Sequence, residues 1–123
     1  MSDETEKIVI IVTHGPDDPE RSTVPFVMAN AARVMEVDTT VVLQGTGVLL
    51  AKKGCFEHVF SAGLPPLKEL IGSFVEQGGK LLVCTPCIRE RRIDESMLVE
   101  IAEPVAAART VQECLEARTV LNY

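Results

Sequence analysis

The chain has 123 residues, with 18 acidic against 12 basic side chains and a net charge of -6. That balance argues against a nucleic-acid protein, because phosphate neutralisation needs a basic face. Hydrophobic residues make up 46% and aromatics only 4%, so the core must be aliphatic, and a chain of this length buries roughly two thirds of its unfolded surface without disulfide staples.

Length predicts one domain over residues 1–123. No apolar run reaches the length of a membrane span. The start, Met1-Ser2-Asp3-Glu4-Thr5-Glu6, is acidic and unlike a signal peptide, so a cytoplasmic protein is expected. In that compartment the four cysteines should be reduced, and a close pair reads as catalytic or metal-binding rather than as a staple.

Lys7 to Thr13 (KIVIIVT) is a short β-branched run, the pattern of a strand buried on both faces. His14 to Ser22 reads as a loop rich in Gly, Pro and Asp. Ser22 or Thr23 is expected to cap a helix reaching about Glu36, with Pro25 in its first turn. Thr39 to Gln44 reads as the second strand, and Gly45 to Gly54 as a loop with a short helix. Val59 and Phe60 suit a minor strand or a connection.

Leu64 to Gln77 carries the clearest helical signal. Leu67, Leu70, Ile71, Phe74 and Val75 make one apolar stripe, with Pro65-Pro66 before it and Gly78-Gly79 after it. Lys80 to Cys84 is then a third buried strand. Ile101 to Ala107 gives a fourth, Thr110 to Ala117 a last helix with Cys114 expected in the core beside Val111 and Leu115, and Thr119 to Tyr123 a fifth strand. Strands alternating with helices predict an open, mainly parallel α/β sheet of about five strands with helices on both faces. Ligands of such sheets bind beyond the C-terminal strand ends. Three loops meet that condition: His14 to Ser22, Gln44 to Gly47, and Cys84 to Ile93.

The third loop carries chemistry. Cys84-Thr85-Pro86-Cys87 follows a strand directly and is followed by Arg89, Arg91 and Arg92. The thiolate is the reactive form of cysteine, and neighbouring cations or a helix start favour it. Cys84 is therefore expected to titrate below an ordinary thiol; should it be buried, Cys87 becomes the better nucleophile. No second C-x-x-C or H-x-x-x-H completes a zinc site, so no metal is expected. Pro86 sits as in C-x-P-C redox motifs, but thioredoxins carry that motif at their first helix, and here it follows two to three βα units.

These residues together resemble the DsrE/DsrF family of sulfur-relay proteins, which includes TusC- and TusD-type subunits. The opening strand with Thr13-His14-Gly15-Pro16-Asp17-Asp18-Pro19 is similar to the family's loop after strand one. The alanines of the first helix (Ala29, Ala31, Ala32) and Val41-Val42-Leu43 with Gly47-Val48 also match. Val83-Cys84, with Arg91-Arg92-Ile93-Asp94 following within ten residues, is the strongest correspondence, although Arg92 stands where a glycine is usual. The resemblance implies a flavodoxin-like fold, a trimeric or hexameric assembly, and Cys84 in the place of the sulfur-carrying cysteine. Cys87 corresponds to the extra cysteine of the branch labelled predicted peroxiredoxins.

Other residues carry weaker signals. His14 is a candidate partner of Cys84, beside the binding arginines Arg89, Arg91 and Arg92, but such a residue more often bonds its own loop. Asp17 and Asp18 read as turn formers rather than as metal ligands. Gly45-Thr46-Gly47 has two glycines of a dinucleotide loop without the third. The expected function is sulfur trafficking: Cys84 accepts a sulfane sulfur as a persulfide from a donor protein and passes it to an acceptor thiol, with no cofactor. Two alternatives are a thiol-disulfide or peroxide-reducing enzyme using Cys84 and Cys87, and a non-enzymatic homo-oligomeric binding module. A mean hydropathy of +0.19 with few aromatics predicts a symmetric homo-oligomer, and the resemblance implies that it is a homotrimer or homohexamer.

Overall fold

The computed structural model describes residues 6–123; the acidic segment 1–5 lies outside them. Five strands, β1 (Lys7–Val12), β2 (Asp38–Leu43), β3 (Lys80–Cys84), β4 (Ala102–Val105) and β5 (Thr119–Asn122), form one sheet in the order β4-β3-β2-β1-β5. Every pairing between these strands is parallel, with Ile10 beside Val41, Val41 beside Leu81, and Cys84 beside Val105. Four α-helices connect them: α1 (Pro19–Val34), α2 (Leu67–Glu76), α3 (Thr85–Glu90) and α4 (Ala107–Glu116). Short 3-10 helices follow β2 at Gly45–Ala51 and precede α2 at Phe56–His58. Val59 and Phe60 belong to the connection after the latter.

The chain steps from β1 to β4 in one direction and then returns to place β5 beyond β1. Right-handed crossovers therefore set α1, α2 and α3 on one face and α4 on the other. The alternation of side chains along each strand divides the core to match. Ile10, Val12, Val41, Leu43, Leu81 and Val83 face Phe26, Leu67, Ile71, Phe74 and Ile88. Val9, Val42, Leu82 and Val105 form a smaller cluster, against which Cys114, Ala117 and Val120 pack. The helices lie on both faces, but unequally.

Three local expectations change. Helix α1 begins at Pro19, because Asp18 accepts the backbone N–H of Arg21 at 3.0 Å and caps it. Ser22 and Thr23 are buried one turn inside, where their hydroxyls donate to the carbonyls of Asp18 (2.8 Å) and Pro19 (2.6 Å). Pro25 thus lies in the helix interior and leaves the Arg21 carbonyl without its helical donor. Helix α4 starts at Ala107 and turns Val111 (56% exposed) and Leu115 (81% exposed) outward. The residue it buries is Glu113, so the apolar pair is not core.

Arg92 accounts for itself. It adopts φ +55°, the left-handed region in which glycine is favoured. Its N–H donates to Arg89 (3.0 Å) and that of Ile93 donates to Ile88 (2.9 Å), which closes α3 in a Schellman turn. The turn is the one a glycine would make, formed here by an arginine at a conformational cost of about 1 kcal/mol.

Candidate functional site

The chain direction fixes where a ligand can enter. The connection leaving β3 crosses one face of the sheet and the one leaving β4 crosses the other, which makes the C-terminal ends of these two strands the place where a ligand of such a sheet is expected. Cys84 is the last residue of β3 and pairs with Val105, the last of β4.

Cys84 stands at the N-terminal boundary of α3, and the first turn of that helix returns Cys87 toward it. The two sulfurs are 2.7 Å apart, both as free thiols and both half-buried; a bond between them would need about 2.05 Å. The third member comes from another strand. The backbone N–H of Gly45, two residues beyond the end of β2, donates to the Cys87 sulfur at 3.3 Å. Gly45 holds φ +54°, and two residues later a Cβ on Gly47 would overlap the carbonyl oxygen of Val12. The turn is thus fitted against the end of β1 with its amide aimed at sulfur.

The electrostatics correct one expectation. Burial of the Cys84 sulfur and the neighbouring Cys87 push the Cys84 thiol above its ordinary value, while the Cys87 backbone N–H and the Arg91 charge act in the opposite direction. Cys84 therefore does not titrate below an ordinary thiol. The cations fail to prevail because they point to solvent: Arg89, Arg91 and Arg92 are all exposed. Arg91 is the nearest in effect, its Nη1 donating to the Cys87 carbonyl at 3.2 Å.

His14 lies at the end of β1, two strands from β3 and so about 10 Å away across the sheet. Its Nδ1 meets the Asp17 carboxylate at 3.1 Å, which holds Asp17 below the usual carboxylate range. Asp17 also accepts the Gly15 N–H at 2.8 Å. Both aspartates are engaged in forming the loop and capping α1. Among the described residues no three His, Cys, Asp or Glu side chains gather to hold a metal ion. Cys55 and Cys114 lie elsewhere as free, half-buried thiols. Gly45 is the site member that the residue pattern failed to announce as such; its signal was a Gly-Thr-Gly turn at the same sheet edge as the cysteines.

Residues 6–123 match the DsrE/DsrF-like family over their whole length. The chain belongs to that family. It is 32% identical over 105 residues to the uncharacterized protein MJ0760 of Methanocaldococcus jannaschii, a match covering 85% of this chain but 38% of that protein. It is 29% identical over 117 residues to MJ0989 of the same organism, covering 95% of this chain and 99% of the other. Among solved structures, the ychN protein of E. coli superposes with a TM-score of 0.82 at 21% identity, over 97% of this chain and 100% of that one. MTH1491 of Methanobacterium thermoautotrophicum, a protein of unknown function, superposes at 0.70 with 18% identity, over 96% and 99%. These likenesses fix the fold: an all-parallel, flavodoxin-like α/β sheet. The family is generally associated with sulfur relay. No helix among the described residues is long and apolar enough to cross a membrane.

Proposed function

We propose that this DsrE/DsrF-like protein carries sulfane sulfur as a persulfide on Cys84, taking it from a donor protein and passing it to an acceptor thiol in the cytoplasm. The observation that carries the reading is the pair of free sulfurs 2.7 Å apart at the C-terminal end of β3, with an amide donor beside them. Two adjacent thiols can hold a sulfur and also release it. When the thiolate of Cys87 attacks the inner sulfur of a Cys84 persulfide, hydrosulfide leaves and a Cys84–Cys87 disulfide remains. The sulfane sulfur is reduced by two electrons, the two thiols are oxidised, and an external dithiol is then needed to reset the pair.

The same proximity favours a second reading, a thiol-disulfide or peroxide-reducing enzyme, which uses the disulfide but no sulfur donor. Self-association as a homotrimer or homohexamer belongs to the proposal as well. Its support is the exposure of Val34, Met35, Phe60 and Leu115, each more than half open to solvent.

Peptide mass spectrometry after incubation with a small persulfide donor separates the readings. We expect Cys84 to gain the mass of one sulfur atom. Loss of two hydrogens across Cys84 and Cys87, with no sulfur gained at any time, would favour the redox enzyme instead.

A further inference from the structure

The relay reading leaves open which sulfur meets the donor, and here the two thiols are not equivalent. Cys87 receives the Gly45 N–H at 3.3 Å. Cys84 lies in the corner between β3 and α3, with Cys87 2.7 Å away and Val105 beside it; the Cys87 backbone N–H favours its anion, but burial and the adjoining sulfur outweigh that donor. An amide N–H aimed at sulfur stabilises the anion, since a hydrogen bond to a charged acceptor is roughly twice as strong as one to a neutral group. A Cβ at Gly45 would have no atom nearer than 3.8 Å, so its left-handed φ, and not crowding, favours glycine there. With that φ the turn presents the Gly45 amide to the Cys87 sulfur.

Resting on the proposed sulfur relay, we infer that Cys87, held by the Gly45 amide, is the nucleophile that captures incoming sulfur, and that Cys84 is the thiol to which the sulfur is handed. The Cys87 thiolate attacks the outer sulfur of the donor persulfide; the donor leaves as a thiol, taking the persulfide proton, and Cys87 is left as a persulfide anion. The Cys84 sulfur then attacks that same outer sulfur. The bond to Cys87 breaks, the Cys84 proton moves to the outer sulfur, and the Cys87 thiolate is regenerated. No oxidant or reductant is consumed in either step. Burial of Cys84 and the adjoining Cys87 sulfur, which together raise its thiol, agree with this order. Gly45 is a positioning residue and does not itself react.

Two measurements test the assignment. The first is limited alkylation with substoichiometric iodoacetamide at neutral pH, read by peptide mapping. We expect label on Cys87 over Cys84 by about tenfold, because the Cys87 sulfur is the one that receives the Gly45 amide. Gly45→Val, which cannot hold the left-handed backbone, should bring the ratio toward one, whereas Gly45→Asn, which tolerates it, should keep the preference. Labelling of Cys55 and Cys114 serves as the internal check that each variant is folded. Equal or Cys84-first labelling of the unmutated protein would overturn the inference, as would a Gly45→Val protein that labels unchanged.

The second measurement is sulfur uptake from the persulfide donor. Cys84→Ser should still capture sulfur, now retained on Cys87, while Cys87→Ser should load Cys84 about tenfold more slowly. Loading of Cys87→Ser at the full rate would overturn the order of the two thiols. Absence of uptake by the unmutated protein would overturn the relay and the handover with it, and the alkylation ratio would still decide which sulfur attacks.

Discussion

Two places in this molecule bury a group that can carry negative charge, and they treat it in opposite ways. Under α4, Glu113 is 5% exposed and faces Lys7 at 2.6 Å and Arg109 at 2.9 Å, while the Thr40 hydroxyl donates to it at 3.3 Å. Lys7 reaches Glu116 as well, and Arg109 reaches Glu103. Despite the cost of burial, these donors hold the Glu113 carboxyl down at about 2. At the other site Cys84 and Cys87 have each other, the backbone amides of Gly45 and Cys87, and arginines that point to water. The contrast shows what pairing does. A carboxylate surrounded by cations is fixed in one state and serves the fold, whereas a sulfur pair met only by neutral amides stays poised between states and is free to react.

Acid gives the largest effect on stability that separates the two. Because the folded carboxyl of Glu113 lies below its ordinary value of 4.5, its contribution is complete above that value and is lost as the pH falls toward about 2. We expect about 3 kcal/mol to disappear over that window. Urea titrations of the unmutated chain and of Glu113→Gln should converge in acid and differ at neutral pH. A Glu113→Gln protein with an equally steep acid loss would show that Glu113 is not the group responsible.

A smaller effect belongs to the sulfur site. In Gly47→Ala the new methyl meets the Val12 carbonyl, part of the backbone, so the turn must move. Crowding of this kind costs about 2 kcal/mol, and here it also shifts the Gly45 amide from Cys87. The variant should melt earlier and lose preferential labelling of Cys87 together; loss of stability with labelling intact would uncouple the turn from the pair.

Smallest is Arg92→Gly. It removes a left-handed arginine at the end of α3, and we expect stability to rise by about 0.5 kcal/mol, the gain being offset in part by glycine's greater freedom when unfolded. Thiol reactivity should be unchanged, since Arg92 touches neither sulfur. A marked fall in Cys87 labelling would instead give this guanidinium a part in the site.

Much of the frame was legible in the residues. The runs KIVIIV, TTVVL and KLLVC read as buried strands because their apolar residues are continuous, which a sheet covered on both faces demands. The stripe from Leu67 to Val75 could only be a helix side. Misreadings fell where a residue has two possible uses. Ser22 and Thr23 look like helix caps, yet Asp18 precedes them and caps the helix first. Val111 and Leu115 look like core, but Glu113 holds the inner side of α4 because Lys7 and Thr40, on the same face of the sheet, supply its partners.

By itself the sequence determined the order of strands and helices and the placing of Cys84 at a strand end with Cys87 three residues on, because these follow from local periodicity and chain-breaking residues. Only the tertiary structure decided that Gly45 reaches Cys87 and that burial raises the Cys84 thiol. It also decided that His14 stands two strands away. Those facts depend on strand order, which sets β2 rather than β1 beside β3, and on burial at a corner between elements far apart in the chain. A thiol's acidity is set by what surrounds it in space, and neighbours along the sequence, such as the exposed Arg89 and Arg92, are a poor guide to that.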